Sequence, residues 1–361
     1  MARKIIGVVA ILFILLVILR IVKHSTPSSI SLVVETNQQK QTETPLTKIP
    51  SSSSPPVAGL VSKTETPIVK LFPQIVSGNY NFSLITDDSL TRTYRVYIPK
   101  NYDPSKSYPA LFVFHGGFGT AEQIEKSSHF SILADERGYI VVYGQGTSLG
   151  GVIEAPTWNA GGCCGQAQED KKNVDDVNYV RDVLAEVKLK YNINPLKIYA
   201  AGMSNGGMFS NRLACEAADQ FARTAVVAGT IQVKSCNPSK RMPVFIMHGT
   251  KDKNVPYYGG TGSKAVNQST YIPVEQELAE WGMRNGCSGA VITTSVPPLV
   301  NDGITIDKLT FPSCVEPVVL YRVNGGVHEW PGGGPNDNVL EKPSATQSIN
   351  ASKTILDFFN L

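Results

Sequence analysis

The stretch Lys197–Phe209 reads KIYAAGMSNGGMF, and at its centre Gly202-Met203-Ser204-Asn205-Gly206 forms a G-x-S-x-G. An apolar, β-prone run (Ile198–Ala201) leads into it, and a helix-compatible run from Met208 to Cys215 leads out. This spacing predicts a strand, a sharp turn and a helix, with Ser204 at the apex. The glycines have a steric purpose. Side chains two residues either side of such a serine would collide with the flanking strand and helix, and Gly202 and Gly206 remove them. A G-x-S-x-G also arises by chance in chains of ordinary composition. The motif therefore means something only if the rest of the chain supplies a base, an acid and an oxyanion donor.

Working outward, apolar runs alternate with helical patterns. Asn79–Ile85 and Arg92–Ile98 read as antiparallel strands around Asp87-Asp88-Ser89, and Ala110–Phe114 and Tyr139–Tyr143 as buried strands. Gln123–Arg137 reads as a helix, and Val174–Tyr191 as an amphipathic one, with Val174, Val177, Val180, Val183, Leu184 and Val187 on one face. Strands follow at Thr224–Ala228, Val244–Met247 and Val318–Val323, helices at Val274–Arg284 and Ala345–Phe359, and weaker strand signals at Val291–Thr294 and Ile304–Leu309. Strand alternating with helix predicts an α/β fold, a mostly parallel sheet with helices on both faces. Gly144–Lys172 is a long glycine-rich loop containing TWNAGGCCG, the kind that a compact domain keeps for function or holds by a disulfide.

In such a sheet, functional groups gather past the carboxyl ends of the strands. A serine hydroxyl needs a base, and the base needs an orienting acid. Of five histidines, His115 and His248 end strands and read as loop-holding groups, His24 beside the apolar run reads as inert, and His129 reads as a surface or half-buried helix residue. His328 lies in the glycine-flanked loop NGGVHEWPGG after the last strand. It also comes last, as the Ser…Asp…His chain order requires. Asp252, in HGTKD after the Val244–Met247 strand, is the expected acid, ahead of Asp302, Asp307 and Asp337. Asp175 and Asp176 read as helix-capping residues. Two backbone donors are expected to bind the oxyanion: the Asn205 N–H and one from HGGFG, with Gly117 first and Phe118 next. Trp158 and Trp330, in glycine-rich loops, are expected to offer aromatic faces to a substrate.

The net charge of +3 over 361 residues gives no strong field, and no basic block points to nucleic acid. The six cysteines make no C-x-x-C and no metal-ligand spacing with histidine, so neither metal nor cofactor is expected. Three segments are expected. Residues 1–24, with the apolar run Ile5–Leu19, read as a signal anchor or signal peptide that would be the membrane contact. Residues 25–70, rich in Ser, Thr and Pro, read as a disordered tether, and residues 71–361 as the globular domain. An even cysteine count in a chain expected outside the cytoplasm favours disulfides. Cys215 and Cys236 sit on neighbouring elements and are plausible partners. Cys163 and Cys164 are left with two options, a vicinal pair or a bridge from one of them to Cys215 or Cys236.

HGGFG, WNAGGCCG, NVDDVNYVRDVL, YAAGMSNGGMFSNRLAC, MHGTKDKNVPYYGG and NGGVHEWPGG together resemble the polyhydroxybutyrate depolymerase/feruloyl esterase family of secreted α/β-hydrolases, over nearly the whole span from residue 77 onward. The resemblance implies an α/β-hydrolase fold with Ser204 as nucleophile, His328 as base, Asp252 as acid and a Cys287–Cys314 disulfide. Gly117 stands where some depolymerases carry Cys, which leaves the backbone donor role intact. The expected activity is extracellular serine ester hydrolysis on feruloyl, acetyl or hydroxyalkanoate esters, with a polymeric substrate among the options. The competing expectations are a surface-tethered binding module on a hydrolase fold, against which the complete set of reactive residues argues, and a serine peptidase, for which no substrate-anchoring charge cluster speaks.

Overall fold

The computed structural model describes residues 72–148, 155–165, 167–168, 171–265, 269–334 and 345–361. The apolar run Ile5–Leu19, the tether at 25–70 and Asp337 lie outside the described residues. Among those described, no helix is long and apolar enough to cross a membrane.

The chain builds β1 (Gly78–Ile85), β2 (Thr91–Ile98), β3 (Tyr108–Phe114), α1 (Ala121–Ser128), α2 (Phe130–Arg137), β4 (Ile140–Gly144), α3 (Asp176–Lys190), β5 (Ile193–Met203), α4 (Asn205–Glu216), β6 (Arg223–Val227) and β7 (Val244–Gly249). Then come a two-residue hairpin of β8 (Gly260–Thr261) and β9 (Thr270–Tyr271), α5 (Val274–Arg284), β10 (Ile292–Val296), β11 (Thr305–Thr310), β12 (Val318–Asn324) and α6 (Ala351–Phe359). Ten strands form one sheet in the order β1-β2-β4-β3-β5-β6-β7-β12-β11-β10. The six from β4 to β12 run parallel, and an antiparallel pair flanks each end. This is the α/β-hydrolase architecture expected from the sequence.

The two faces of the sheet read directly from β3. Its successive side chains point to opposite sides. Ala110, Phe112 and Phe114 join the core beneath α3, α4 and α5, with Val180, Val183, Phe209, Leu213 and Trp281. Leu111 and Val113 join the other core, with Ile124, Phe130, Leu133, Ile355 and Phe359 of α1, α2 and α6. Burial on both sides is why this strand is an unbroken apolar run rather than an alternating one.

Two helix boundaries depart from expectation. The helix expected over Gln123–Arg137 is two helices. Ser128 turns its hydroxyl back onto the Ile124 carbonyl at 2.6 Å, and His129 takes a left-handed conformation with φ 58° that ends α1. Serine hydroxyls compete with the helical ladder in this way. The closing helix starts at Ala351 rather than Ala345, because Asn350 caps it by accepting from Lys353 N. The preceding residues are drawn onto Asp302, which accepts from Thr346 Oγ1 (2.6 Å), Gln347 N (3.0 Å) and Ser348 Oγ (2.5 Å).

All six cysteines are paired: Cys163–Cys164, Cys215–Cys236 and Cys287–Cys314. The Cys287–Cys314 bridge sits beside the Ser288–Ser313 backbone bridge, at the base of the hairpin formed by β10 and β11. For Cys163 and Cys164 the vicinal option is the one adopted.

Candidate active site

Ser204 lies between β5 and α4 with φ 55°, a left-handed conformation that a side chain makes costly. Surrounding bonds hold it there. Its N–H donates to the Val227 carbonyl at 2.8 Å, and its own carbonyl accepts from Met208 N at 2.8 Å. The two motif glycines are required by close approach. A Cβ on Gly202 would collide with the Gly206 backbone, and one on Gly206 with the carbonyls of Phe114 and His115.

The turn after β7 and the loop after β12 are stitched together. Lys251 N donates to the Gly326 carbonyl (2.8 Å), Thr250 N to the Val323 carbonyl (3.0 Å), and Gly325 N to Thr250 Oγ1 (2.8 Å). A Cβ at Gly249 would strike Gly326, so the fit depends on that glycine. The stitching brings Asp252 and His328 into register. His328 Nδ1 lies 2.7 Å from Asp252 Oδ2, and His328 Nε2 lies 2.9 Å from Ser204 Oγ. The other Asp252 oxygen accepts from Asn254 N (2.8 Å) and Val255 N (2.9 Å). Burial alone would raise the Asp252 carboxyl. The facing His328 ring, His248 and the donated N–H groups outweigh burial and hold it below the ordinary carboxylate range. With Nδ1–H donated to the carboxylate, Nε2 is left to accept the Ser204 proton.

The rival histidines have other partners. His115 is buried, its Nδ1 donates to the Gly116 carbonyl (2.7 Å), and its Nε2 accepts from Gly146 N (2.9 Å). Burial pushes its pKa down to about 4, so it stays neutral and ties the HGGFG loop to the end of β4. His248 is equally buried, its Nδ1 donates to the Gly249 carbonyl (3.2 Å), and burial again lowers its pKa. Of the rival acids, Asp302 holds the loop before α6, and Asp307 pairs with Arg322 at 2.8 Å.

The two expected oxyanion donors flank Ser204. Asn205 opens α4, where a helix leaves its first N–H groups without intrahelical partners. Neither its N–H nor that of Gly117 has an acceptor among the described residues. The Cβ position at Gly117 comes within 3.9 Å of Asn205 Cβ, so the two donors are neighbours. Phe118, the second choice, is taken: its N–H donates to the Pro156 carbonyl at 2.9 Å.

Trp158 and Trp330 do not present faces to a substrate. Trp158 is fully buried, stacks on Phe209 with centroids 5.0 Å apart, and donates from Nε1 to the His115 carbonyl. Trp330 is also buried, packs edge-on against Phe130 and donates to Ser352 Oγ. Each ring fills the core and each N–H has a partner, the usual condition of an interior tryptophan. Among the described residues, an aromatic side chain that is exposed is Phe118, 44% accessible and next to Gly117.

Sequence reasoning also missed Asp176. Asp175 is the cap, accepting from Asn178 N at 3.0 Å, whereas Asp176 is buried against Arg92. Among the described residues no group of His, Cys, Asp and Glu could hold a metal ion.

A serine on a strained strand-to-helix turn, with histidine and aspartate brought to it from the ends of two later strands of a mainly parallel sheet, defines the class as an α/β-hydrolase. The Esterase family model matches residues 89–282, more than half of the chain, and the chain belongs to that family. It is 32% identical over 200 residues to feruloyl esterase B of Piromyces equi, a match covering 54% of this chain and 35% of that protein. The chain thus spans about a third of the length of that relative. It is 28% identical over 282 residues to NocK of Nocardia uniformis subsp. tsuyamanensis, an esterase by name, covering 74% of this chain and 79% of that one. The acetyl xylan esterase from Aspergillus awamori shares the fold, with TM-score 0.52 and 14% identity over 78% of this chain and 99% of that one.

Proposed function

We propose that this chain is a serine carboxylester hydrolase working through an acyl-enzyme. The observation that carries the proposal is the continuous line Asp252 Oδ2–His328–Ser204 Oγ, with contacts of 2.7 and 2.9 Å. His328 Nε2 takes the Ser204 proton as Oγ attacks the ester carbonyl. The resulting oxyanion sits against the Asn205 and Gly117 N–H groups, and the same proton passes to the leaving alcohol. Water then repeats the sequence on the acyl-enzyme, with His328 again as base. Asp252 holds the imidazole in its working tautomer and stabilises the imidazolium that forms.

The substrate class proposed is a feruloyl or acetyl ester carried on plant polysaccharide, with hydroxyalkanoate esters as the alternative polymer. Similarity to feruloyl esterase B supports the first choice. The setting proposed is extracellular, which suits a domain with three disulfides. Residues 1–24 would be its signal or membrane segment and 25–70 its tether.

The test is a panel of p-nitrophenyl acetate, methyl ferulate, acetylated xylan, hydroxybutyrate oligomers and a peptide anilide. Cleavage of the esters, lost on serine-directed inhibition, is the expected result. Binding of polysaccharide with no ester turnover would favour the binding-module reading, and amide turnover the peptidase reading.

A further inference from the structure

One short segment of the long loop after β4 touches both proposed oxyanion donors. The Pro156 carbonyl accepts from Phe118 N at 2.9 Å and so pins the turn that carries Gly117. Two residues on, Trp158 closes a paired contact with the Asn205 side chain: Trp158 N donates to Asn205 Oδ1 (2.7 Å), and Asn205 Nδ2 donates to the Trp158 carbonyl (2.9 Å). The Thr157 methyl between them lies 3.9 Å from the Gly117 Cβ position. Where this segment sits therefore decides where both donors point.

The next residue, Asn159, is what the segment hangs from. Its backbone N–H donates to Asp176 Oδ2 at 2.7 Å, and its carbonyl accepts from Arg212 Nη1 at 3.1 Å. Asp176 has no exposed surface. Its other oxygen accepts from Arg92 Nη2 at 2.5 Å. Arg92, 3% exposed, is fixed in turn by the Gln145 carbonyl (3.3 Å) and by the Tyr179 ring, 4.0 Å from its guanidinium carbon. Helix capping does not account for Asp176, since Asp175 performs it. A buried ion pair is also a poor source of net stability, because both charges lose their hydration.

We propose that the buried Arg92–Asp176 pair is a positioning device for the oxyanion site: through Asn159 it holds the 156–158 segment, which aims the N–H groups of Gly117 and Asn205. This rests on the esterase reading above. The pair touches neither substrate nor Ser204 and acts through the segment it anchors.

The test uses the full chain and two variants, Asp176→Asn and the double apolar variant Arg92→Met/Asp176→Leu. The double variant removes both charges together, so it avoids leaving one buried and unpaired. Active Ser204 is titrated with a fluorophosphonate, and turnover of p-nitrophenyl acetate is expressed per titrated serine. The expected result is a kcat per active serine at least 10-fold lower with KM within about 3-fold, the split that marks an interaction made only in the transition state. Inhibition by a trifluoromethyl ketone, which mimics the oxyanion, should weaken by the same factor. A pair that merely stabilised the fold would reduce the titratable fraction and leave kcat per active serine unchanged, and that result overturns the proposal. Failure of both variants to fold would make the pair a fold determinant and overturn it equally. Absence of both ester turnover and fluorophosphonate labelling in the unaltered chain would instead sink the esterase reading, so the two failures are distinguishable.

Discussion

His328 Nε2 and Ser204 Oγ lie 2.9 Å apart although 124 residues separate them in the chain. The contact needs three things: the elbow after β5, the bonds between Thr250–Lys251 and the loop after β12, and the Asp252 carboxylate that fixes the ring. Removing the last should leave the fold intact and the chemistry crippled. Asp252→Asn should lower kcat by roughly 10³–10⁴-fold, because an amide in that position can impose the wrong imidazole tautomer. Steady-state kinetics on p-nitrophenyl acetate, beside an unchanged melting curve, would show it. A loss below 10-fold would move the acid elsewhere.

The aromatic groups should separate into packing and substrate contact. Trp158→Ala removes a buried ring stacked on Phe209 and should cost about 3–5 kcal/mol of stability, read by chemical denaturation. Phe118→Ala removes a partly exposed ring beside Gly117, and the positive φ of 66° there gives no reason for the folded state to suffer. We expect it to raise KM for methyl ferulate roughly 10-fold while p-nitrophenyl acetate stays within about 2-fold, as a lost flat stacking surface would. Equal effects on both esters would contradict the stacking role.

Glu277 of α5 sets a pH dependence of stability. It is fully buried, accepting from Asn211 Nδ2 (2.6 Å) and from Ile231 N (3.1 Å). Burial pushes its pKa from the ordinary 4.5 up to about 8, despite those donors. Between these two values the folded chain keeps a proton that the unfolded chain releases. Stability is therefore greatest below about pH 4.5 on this account and is lost as pH rises toward 8, at about 1.4 kcal/mol per pH unit. Glu277→Gln should flatten the decline in melting temperature between pH 5 and 8. An unchanged slope in the variant would show that Glu277 does not titrate in this window.

The Cys287–Cys314 bridge closes a 27-residue separation that includes the exposed edge strand β10. Replacing both residues with Ser should cost about 3–4 kcal/mol in the chain-entropy view. Non-reducing peptide mapping gives a direct check on all three pairs, and free thiols at Cys287 and Cys314 in secreted protein would contradict the extracellular setting.

The elbow, the strand ends and the Ser…Asp…His order were legible because each is a local signal: glycines at fixed offsets, and polar residues just past apolar runs. What stayed illegible depends on distant partners. Asp175 and Asp176 look alike at a helix start, and only Arg92, 84 residues away, makes one a cap and the other a buried anchor. Trp158 sits among glycines and reads as a surface loop, but the Asn205 side chain and the His115 carbonyl draw it inward. The break at His129 follows from a serine hydroxyl turning onto its own helix, a choice that helical periodicity does not encode.

The most direct measurement of the central claim is fluorophosphonate labelling of the full chain, with the labelled peptide identified by mass spectrometry and ester turnover followed in parallel. The account predicts a single adduct on Ser204, formed in step with loss of p-nitrophenyl acetate hydrolysis, and neither adduct nor turnover in Ser204→Ala or His328→Ala. An adduct on another serine, or turnover that survives in Ser204→Ala, would contradict it.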